Sequence, residues 1–294
     1  MTEENEEQIL FIHSHHLAGD GQSVFILLND IMNYLDGHTL TYKPMVCIDR
    51  SYLENKAKLD PMMKAYSKNV NKEWKKRSRN FNWDNYYEIH KKYWDKHYSE
   101  VEFKTYDIKA LKDRCPKGAT VNSLLVAEIL KDYPQCEVVG IPVSIRESGG
   151  MSNQTSSVYV KYKYDSDKTS ETNVCDVHKE IHNAINYINT KYYILLFMER
   201  LCPSLIDAIL LQAHGCYDDE FCEKMVRDMG YTDETNVDIG ISNVKKIDIP
   251  SVHEKFIIKD IVGIPPKVTY VKDIIGISTY EDILTICYHK IKKY

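Results

Sequence analysis

The chain has 294 residues, of which 43% are hydrophobic and 28% are charged, and it carries a formal net charge of −5. This is ordinary globular composition, and the length allows one large domain or two smaller ones. The acidic balance argues against a dedicated nucleic-acid-binding protein, and without an apolar run of about 18 residues no transmembrane helix is expected.

The N-terminus and the cysteines indicate the cellular compartment. Residues 1–7 are acidic and lack the pattern of a signal peptide. The 8 cysteines are scattered, and no two of them have the C-x-x-C spacing of a metal or redox site. Free thiols in a cytoplasmic protein are the simpler interpretation.

The first predicted element is a buried strand over residues 9–16, because this stretch begins with a short apolar run rich in Ile and Phe. Neighbouring side chains of a strand point to opposite faces. His16 therefore shares one face with Leu10, whereas His13 and His15 lie on the other. The pattern predicts a pair of histidines at the end of a strand.

A sharp turn and a helix are predicted directly after this strand. Gly19 and Gly21 mark the turn, since glycine tolerates positive φ angles. Ser23 is the predicted cap of a helix whose apolar face draws on residues 24–35. Asp20 lies in the turn, four residues after the second histidine of the pair.

Histidine at this place suits general-base catalysis. A neutral imidazole with an ordinary pKa of about 6.5 can take a proton from a hydroxyl, an amine or a thiol. Asp20 is then either the partner of the base or an anchor that holds the turn. A metal site made from His13, His15 and His16 is less favoured, because strand alternation separates His16 from the other two.

Residues 51–100 form a distinct zone after a short extended piece at 43–48. The zone contains twelve Lys and Arg, seven Asp and Glu, and all three tryptophans. Basic residues between aromatic ones can bind a phosphate-rich ligand or single-stranded nucleic acid. A helical connector whose aromatic side chains dock onto the core is the favoured interpretation, and residues 82–98 are its clearest helix.

The remainder of the chain mixes strands and helices. The final two predicted strands form a hairpin around residues 280–282. Helices are predicted over 107–114, from the cap Thr120 onward, and over most of 171–230. Strands are predicted over 101–106, 137–146, 156–164, 237–244, 255–260, 267–270, 273–279 and 283–289.

Two histidines in the predicted helical region are candidate metal ligands. His178 and His182 are four residues apart and share one helical face, with Glu180 near them. The spacing is not H-E-x-x-H, however, and no third ligand is evident. A surface helix is the favoured interpretation.

The spacing His15-His16-x-x-x-Asp20-Gly21 resembles the active-site motif of the CoA-dependent acyltransferases. This superfamily includes chloramphenicol acetyltransferase, the condensation domains of nonribosomal peptide synthetases and the alcohol acetyltransferases. Further stretches resemble a helix start, a V-P-V-N-x-R strand, an S-N-x-G strand and a closing hairpin of the family, in the same order. They lie at residues 120–125, 141–146, 241–244 and 277–288.

The resemblance implies an α/β fold, the chloramphenicol acetyltransferase-like sandwich of mixed sheet and helices, with a truncated first lobe. Residues 1–106 would be the remnant of the first lobe, with the motif and a helical connector, and residues 107–294 would be the second lobe. In the two-lobe relatives much of an N-terminal lobe precedes the motif, whereas only a few residues precede it here. The expectation is a fragment, or a divergent member completed by a partner chain.

The resemblance also implies roles for the residues of the motif. His16 would be the general base that deprotonates the acceptor, and His15 would be a packing neighbour on the other side of the strand. Asp20 would point away from the substrate and pair with an arginine. Arg146 is the best candidate for that partner, because a buried carboxylate needs one.

Three further residues complete the implied site. Ser242 and Asn243 would donate hydrogen bonds to the oxyanion of a tetrahedral intermediate or line the pocket, and Gly21 would contact the substrate. Lys245 stands where the S-N-x-G motif has its glycine.

The implied reaction moves an acyl group from acyl-CoA or an acyl-carrier thioester to a small alcohol or amine, and it requires neither a metal nor a bound cofactor. The alternative is a catalytically inactive relative that acts as a binding or scaffold module. A second copy of the chain, or a chain that supplies the missing lobe, is the expected protein partner. Neither nucleic acid nor a membrane is expected as a partner.

Overall fold

A computed structural model of the protein describes residues 7–16, 18–42, 45–77, 81–147, 150–187, 190–228, 239–267 and 273–294. Within these ranges the chain forms ten helices and six strands. The helices are α1 (Gly21–Leu35), α2 (Arg50–Lys56), α3 (Pro61–Arg77), α4 (Trp83–Trp94), α5 (Ile108–Arg114), α6 (Val121–Asp132), α7 (Ser170–Asn186), α8 (Thr190–Arg200), α9 (Pro203–Ala213) and α10 (Glu220–Asp228). The strands are β1 (His97–Asp107), β2 (Val138–Ser144), β3 (Thr155–Lys161), β4 (Ile239–Lys246), β5 (Asp273–Tyr280) and β6 (Ile283–Lys293).

The six strands make one mixed sheet in the order β1-β6-β5-β4-β2-β3. β4 lies parallel to both β2 and β5, and the other neighbours are antiparallel. β5 and β6 form the predicted hairpin, and its turn includes Glu281 at a positive φ of 50°. The predicted α/β fold with a mixed sheet is therefore confirmed.

The main core lies between the sheet and the helices α6 and α7. Thr120 caps α6 as predicted, since its hydroxyl accepts a hydrogen bond from the backbone N–H of Ser123 at 3.2 Å. Apolar side chains from both helices and from the inner strands form one buried cluster. Its members include Leu124, Leu125, Val177, Ile239 and Ile275.

The basic and aromatic zone is a group of helices, α2 to α4, docked onto the rest of the molecule. Trp74 of α3 is fully buried in a cluster with α9, where its indole N–H donates to Oγ of Ser204 at 2.9 Å. Burial takes this tryptophan out of reach of a nucleic acid or a phosphate-rich ligand. Trp83, by contrast, is 85% exposed.

The predicted strand over residues 9–16 is wrong. This segment has no regular secondary structure, and Ile9 and Phe11 are 95% and 75% exposed. An apolar run becomes a strand only when a neighbouring strand satisfies its backbone hydrogen bonds, and the six strands of the sheet pair with one another instead.

The predicted strand over residues 255–260 is also wrong. The described chain forms only an isolated bridge there, between Val252 and Ile257. This stretch folds back against α1 and β5, where Phe256 and Ile258 pack beside Met32 and Tyr280. The strand predicted at residues 267–270 lies almost entirely outside the described residues.

No helix in the described ranges is long and apolar enough to cross a membrane.

His178 and His182 lie on one face of α7 with ring centroids 6.4 Å apart, and Nδ1 of His178 is hydrogen-bonded to Oγ of Ser123 at 3.0 Å. Nowhere in the described part of the chain do three or more His, Cys, Asp or Glu side chains come together as metal ligands.

Candidate active site

The helix α1 begins at the turn that carries the motif. Asp20 is its N-cap residue, with an extended backbone conformation of φ −87° and ψ −179°. Oδ1 of Asp20 accepts a hydrogen bond from the backbone N–H of Ser23 at 3.0 Å, which satisfies a donor that the helix itself leaves unpaired. Ser23, the predicted cap, lies inside the first turn of the helix.

The Asp20 carboxylate is buried and fully hydrogen-bonded. Oδ1 also accepts from the hydroxyl of Ser23 at 3.1 Å and from Nη2 of Arg146 at 2.6 Å. Oδ2 accepts from the backbone N–H of Gln154 at 2.9 Å and from the hydroxyl of Thr155 at 3.2 Å. The ion pair implied by the resemblance is thus present, with 5% of the Asp20 side chain and 13% of the Arg146 side chain exposed.

Arg146 ties the start of α1 to the loop between β2 and β3. Its guanidinium donates to the carbonyl oxygen of Gly150, to that of Ser152 at 3.1 Å, and to Oγ of Ser23 at 3.1 Å. The single proton of the Ser23 hydroxyl is shared between Oδ1 of Asp20 and the carbonyl oxygen of Ser152, which lies 2.8 Å from Oγ. Helix and loop are therefore joined by a network in which side chains bind backbone groups of the other element.

The network keeps Asp20 ionised. Burial alone raises the pKa of this carboxyl, but the N–H groups of Gln154 and Ser23, together with the Arg146 guanidinium, outweigh burial and hold the pKa below its usual value. A carboxylate that accepts five hydrogen bonds from its own chain has no acceptor site left for a substrate. These contacts make Asp20 an anchor of the turn.

Two glycines let the start of α1 pack this closely. A Cβ atom at Gly19 would lie 2.4 Å from Cβ of Ser23, and one at Gly21 would lie 2.9 Å from Cγ1 of Val244. Nε2 of Gln22 donates to the carbonyl oxygen of Val244 at 2.9 Å. The first turn of α1 therefore lies directly against β4.

His16 lies on the solvent side of the same turn. Its imidazole is exposed, and its Nδ1 is 2.9 Å from Nδ2 of Asn153 in the loop before β3. An amide nitrogen can only donate, so the neutral imidazole carries its proton on Nε2 in this arrangement. Oδ1 of Asn153 accepts from the backbone N–H of Thr155 at 3.3 Å, and this contact orients the amide.

His15 is exposed as well, so the expectation that it packs inside is wrong. Residues 9–16 form no strand and therefore have no buried face that could receive it. The carbonyl oxygen of His15 accepts from the backbone N–H of Ala18 at 2.9 Å. His15 thus contributes its backbone to the turn.

Ser242 and Asn243 lie on β4 beside the start of α1. Nδ2 of Asn243 donates to Oδ1 of Asn122 at 2.9 Å, and its Oδ1 accepts from the backbone N–H of Lys245 at 2.8 Å. The strand bulges between Asn243 and Lys245, and Lys245 has a φ of 66°. This left-handed conformation favours glycine, which accounts for the glycine of the S-N-x-G motif at this place.

These residues border a wide groove on one side of the sheet. His15, His16, Gly21, Ser242 and Asn243 all line it. Its volume of about 4180 Å³ is several times the roughly 300–1,000 Å³ of a typical small-molecule pocket. His16 therefore faces an open groove.

Sequence reasoning missed Asn153, Gln154 and Thr155 as parts of the site. They lie more than 130 residues from the motif along the chain, so no spacing connects them with it. The only signal was the polar run at residues 153–155, which follows the Gly- and Ser-rich stretch 148–152.

Comparison with known proteins assigns the fold. No protein-family model matches the sequence, and no curated protein matches it significantly. The cyclization-docking bidomain of the EpoB nonribosomal peptide synthetase from Sorangium cellulosum matches with a TM-score of 0.53 and 12% identity, over 93% of this chain and 53% of that chain. The epimerization domain from the third module of tyrocidine synthetase B matches with a TM-score of 0.52 and 11% identity, over 95% of this chain and 63% of that chain.

The chain thus has the same fold as these two synthetase domains, which agrees with the fold that the motif predicts. Both solved structures are domains of nonribosomal peptide synthetases, and this chain spans 53% and 63% of their lengths. At 11–12% identity the likeness concerns the fold, and the chemistry has to be argued from the site.

Proposed function

We propose that the protein transfers an acyl group from a CoA or carrier thioester to a hydroxyl or amine, with His16 as the general base. The observation that carries the proposal is the position of His16. On an acyltransferase fold, this imidazole lines the groove at the end of a turn that Asp20 and Arg146 hold in place.

The proposed chemistry needs one proton carrier. The acceptor oxygen or nitrogen attacks the thioester carbonyl while Nε2 of His16 takes its proton. The tetrahedral intermediate then collapses, the carbon–sulfur bond breaks, and the imidazolium returns the proton to the leaving sulfur. The Ser242 hydroxyl, which lines the groove, is the candidate donor to the oxyanion, whereas the amide of Asn243 is engaged by Asn122 and Lys245.

Asn153 controls whether His16 can act in this way. With Nδ2 of Asn153 at Nδ1 of His16, the proton occupies Nε2, and that atom cannot accept another. Rotation of the amide by about half a turn would give up the contact with the N–H of Thr155 and bring Oδ1 to Nδ1, which fixes the proton on Nδ1 and frees the lone pair of Nε2. We therefore assign Asn153 as the residue that positions the base.

Thiol release from acetyl-CoA, measured against a panel of alcohols and amines, tests the proposal. His16→Ala should lower the rate by about 10²–10⁴-fold, the usual contribution of a general base, and leave the circular dichroism spectrum unchanged. His13→Ala is the matched control, because His13 is an exposed groove histidine of the same segment. Equal rates for the wild type and His16→Ala would contradict the assignment.

A pair of substitutions at Asn153 tests the tautomer. A carboxylate accepts from Nδ1–H, so Asn153→Asp should hold His16 in the form of a base and retain or raise the rate. Asn153→Leu offers no acceptor to Nδ1–H and should be slower than Asn153→Asp. The ¹⁵N chemical shifts of His16 report the tautomer directly, and the same tautomer in all three proteins would exclude this role.

A non-catalytic binding module is the second candidate. Two observations favour it: the groove is open, and the His16 tautomer in the structure is that of a donor. Such a module would bind an acyl thioester, as measured by calorimetry, without releasing thiol in the presence of any acceptor. Enclosure of a small acceptor would need a further surface, from a second copy or another chain.

The free thiols support a reducing, cytoplasmic location for either function. All eight cysteines are unpaired with one another, and Cys47 and Cys175 are exposed.

A further inference from the structure

Among the described strands, β1 forms one edge of the sheet. It pairs with β6 over eleven consecutive residues, no other described strand lies beside it, and residues 98–105 are all exposed. An edge of this kind presents a row of backbone N–H and C=O groups that can pair with another strand.

The side chains of β1 divide into two chemically different faces. Val101 and Phe103 are 37% and 46% exposed and share one face, where Phe103 lines the groove. Glu100, Glu102 and Lys104 share the other. The strand is long, has no proline and carries no bulge against β6, so it lacks several devices that commonly keep edge strands apart.

Symmetry limits how two copies of this edge can meet. A two-fold axis normal to the sheet makes the strands antiparallel and places one residue opposite itself. If the axis passes through Glu100, Glu102 or Lys104, that charged residue lies opposite its own copy. If the axis passes through Val101, Glu100 lies opposite Glu102 twice. Within this stretch, 100–104, only a centre at Phe103 avoids directly opposed like charges, which destabilise a sheet.

We propose that two copies of the chain pair through β1, antiparallel, with Phe103 on the two-fold axis. In this register Phe103 meets Phe103 of the other copy, Val101 lies opposite Thr105 twice, and Glu102 lies opposite Lys104 twice. Aromatic, β-branched and opposite-charge pairs are the combinations that stabilise neighbouring strands. The two sheets become one, and the groove of each copy gains a new border beside Phe103.

Contacts within one copy hold Glu102 and Lys104 on the charged face of β1, where the proposed pairing requires them. Glu102 pairs with Lys290 of β6 at 3.2 Å, and Nζ of Lys104 lies 4.9 Å from the ring centroid of Tyr288. Both contacts are on the charged face and hold the two side chains over the sheet. Residues 99–107 of each copy would pair, fewer than the about 20–30 residues a side of a standard interface, so the dimer should be reversible and concentration-dependent.

Charge-reversal variants test the proposal. Their oligomeric state is measured by sedimentation velocity over a range of rising protein concentrations. The wild type should shift from monomer to dimer. Glu102→Lys and Lys104→Glu should each stay monomeric, because each opposes like charges twice, and the double variant should recover the dimer. Lys161→Glu is the matched control, since Lys161 is an exposed lysine of β3, the opposite edge strand, and it should leave dimerisation unchanged.

A cross-link tests the register independently of the ion pairs. With Cys47 and Cys175 changed to Ser, Phe103→Cys should form a disulfide-linked dimer on mild oxidation, whereas Tyr159→Cys on β3 should not. A wild type that stays monomeric at the highest soluble concentration would overturn the proposal. A double charge variant that stays monomeric, or equal cross-linking at positions 103 and 159, would do so as well.

Discussion

Asp20 and His16 belong to the same turn, four residues apart, yet the protein treats them in opposite ways. Asp20 is 4% exposed and accepts five hydrogen bonds from its own chain. His16 is exposed, and the side chain at its Nδ1 is that of Asn153. Asp20 builds the turn, whereas His16 stays exposed at the border of the groove.

This division follows from the cost of burying charge. A buried carboxylate is tolerated only when a cation and several donors surround it, and Arg146, Ser23, Gln154 and Thr155 supply them. An imidazole that exchanges protons with a substrate needs one nitrogen free of such contacts. The proposed role of His16 therefore requires a crowded environment at one end of the motif and an open one at the other.

The largest expected effect is on folding, from Asp20→Asn. The amide would turn an NH2 group toward donors, either Arg146 or the backbone N–H of Gln154, and leave a buried charge unpaired. We expect a loss of about 3–5 kcal/mol in the free energy of unfolding, measured by urea denaturation. Asp49→Asn is the control, because Asp49 caps α2 through Tyr52 but is exposed, and asparagine caps about as well as aspartate.

His16→Ala provides the other side of this comparison. Its cost in unfolding free energy should stay within about 0.5 kcal/mol, as for other surface positions. If Asp20→Asn proved as mild as His16→Ala, the distinction between a buried anchor at Asp20 and an exposed side chain at His16 would fail.

Gly19→Ala should lower the free energy of unfolding by less than Asp20→Asn does. Its Cβ would lie 2.4 Å from Cβ of Ser23, an atom that cannot move without shifting α1. Overpacking of this kind costs about 1–3 kcal/mol. Gly263→Ala is the matched control, because the nearest atom would be Cζ of Phe25 at an ordinary 3.7 Å. Equal urea midpoints for the two variants would show that the turn tolerates a wider spacing.

Sequence reasoning succeeded where local chemistry decides the structure. The cap Thr120 and the hairpin of β5 and β6 follow from patterns within a few residues, whereas the mixed sheet was implied by the resemblance to a known family. The pairing of Arg146 with Asp20 could be predicted, since a buried carboxylate needs a cation and the V-P-V-N-x-R resemblance points to this arginine.

It failed where the outcome depends on distant parts of the chain. Residues 9–16 have the composition of a buried strand but find no described strand to pair with. The error carried over to His15, whose packing was expected from that strand. Asn153 and Gln154 reach the motif only through the fold, so their roles could not be read from local spacing.

Acid should weaken the Asp20 end of the turn selectively. The pKa of Asp20 in the folded protein lies below its usual value, which is about 3.9 in an unfolded chain. Its stabilisation is therefore complete above the unfolded pKa and is lost as the pH falls through the folded one. The free energy of unfolding, measured from pH 7 down to pH 2, should fall less in Asp20→Asn than in the wild type. Parallel curves would contradict the depressed pKa.

The smallest effect is expected from His15→Ala. A buried His15 would make this substitution costly, as the predicted strand implied. In the structure its side chain is exposed, and its backbone carbonyl, which alanine retains, accepts the turn hydrogen bond from Ala18. The change in unfolding free energy should therefore stay within about 0.5 kcal/mol, and thiol release should fall far less than in His16→Ala. A loss of stability near that of Asp20→Asn would mean that residues 9–16 have a buried face in solution. The contrast between a buried anchor at Asp20 and an exposed segment before it would then be wrong.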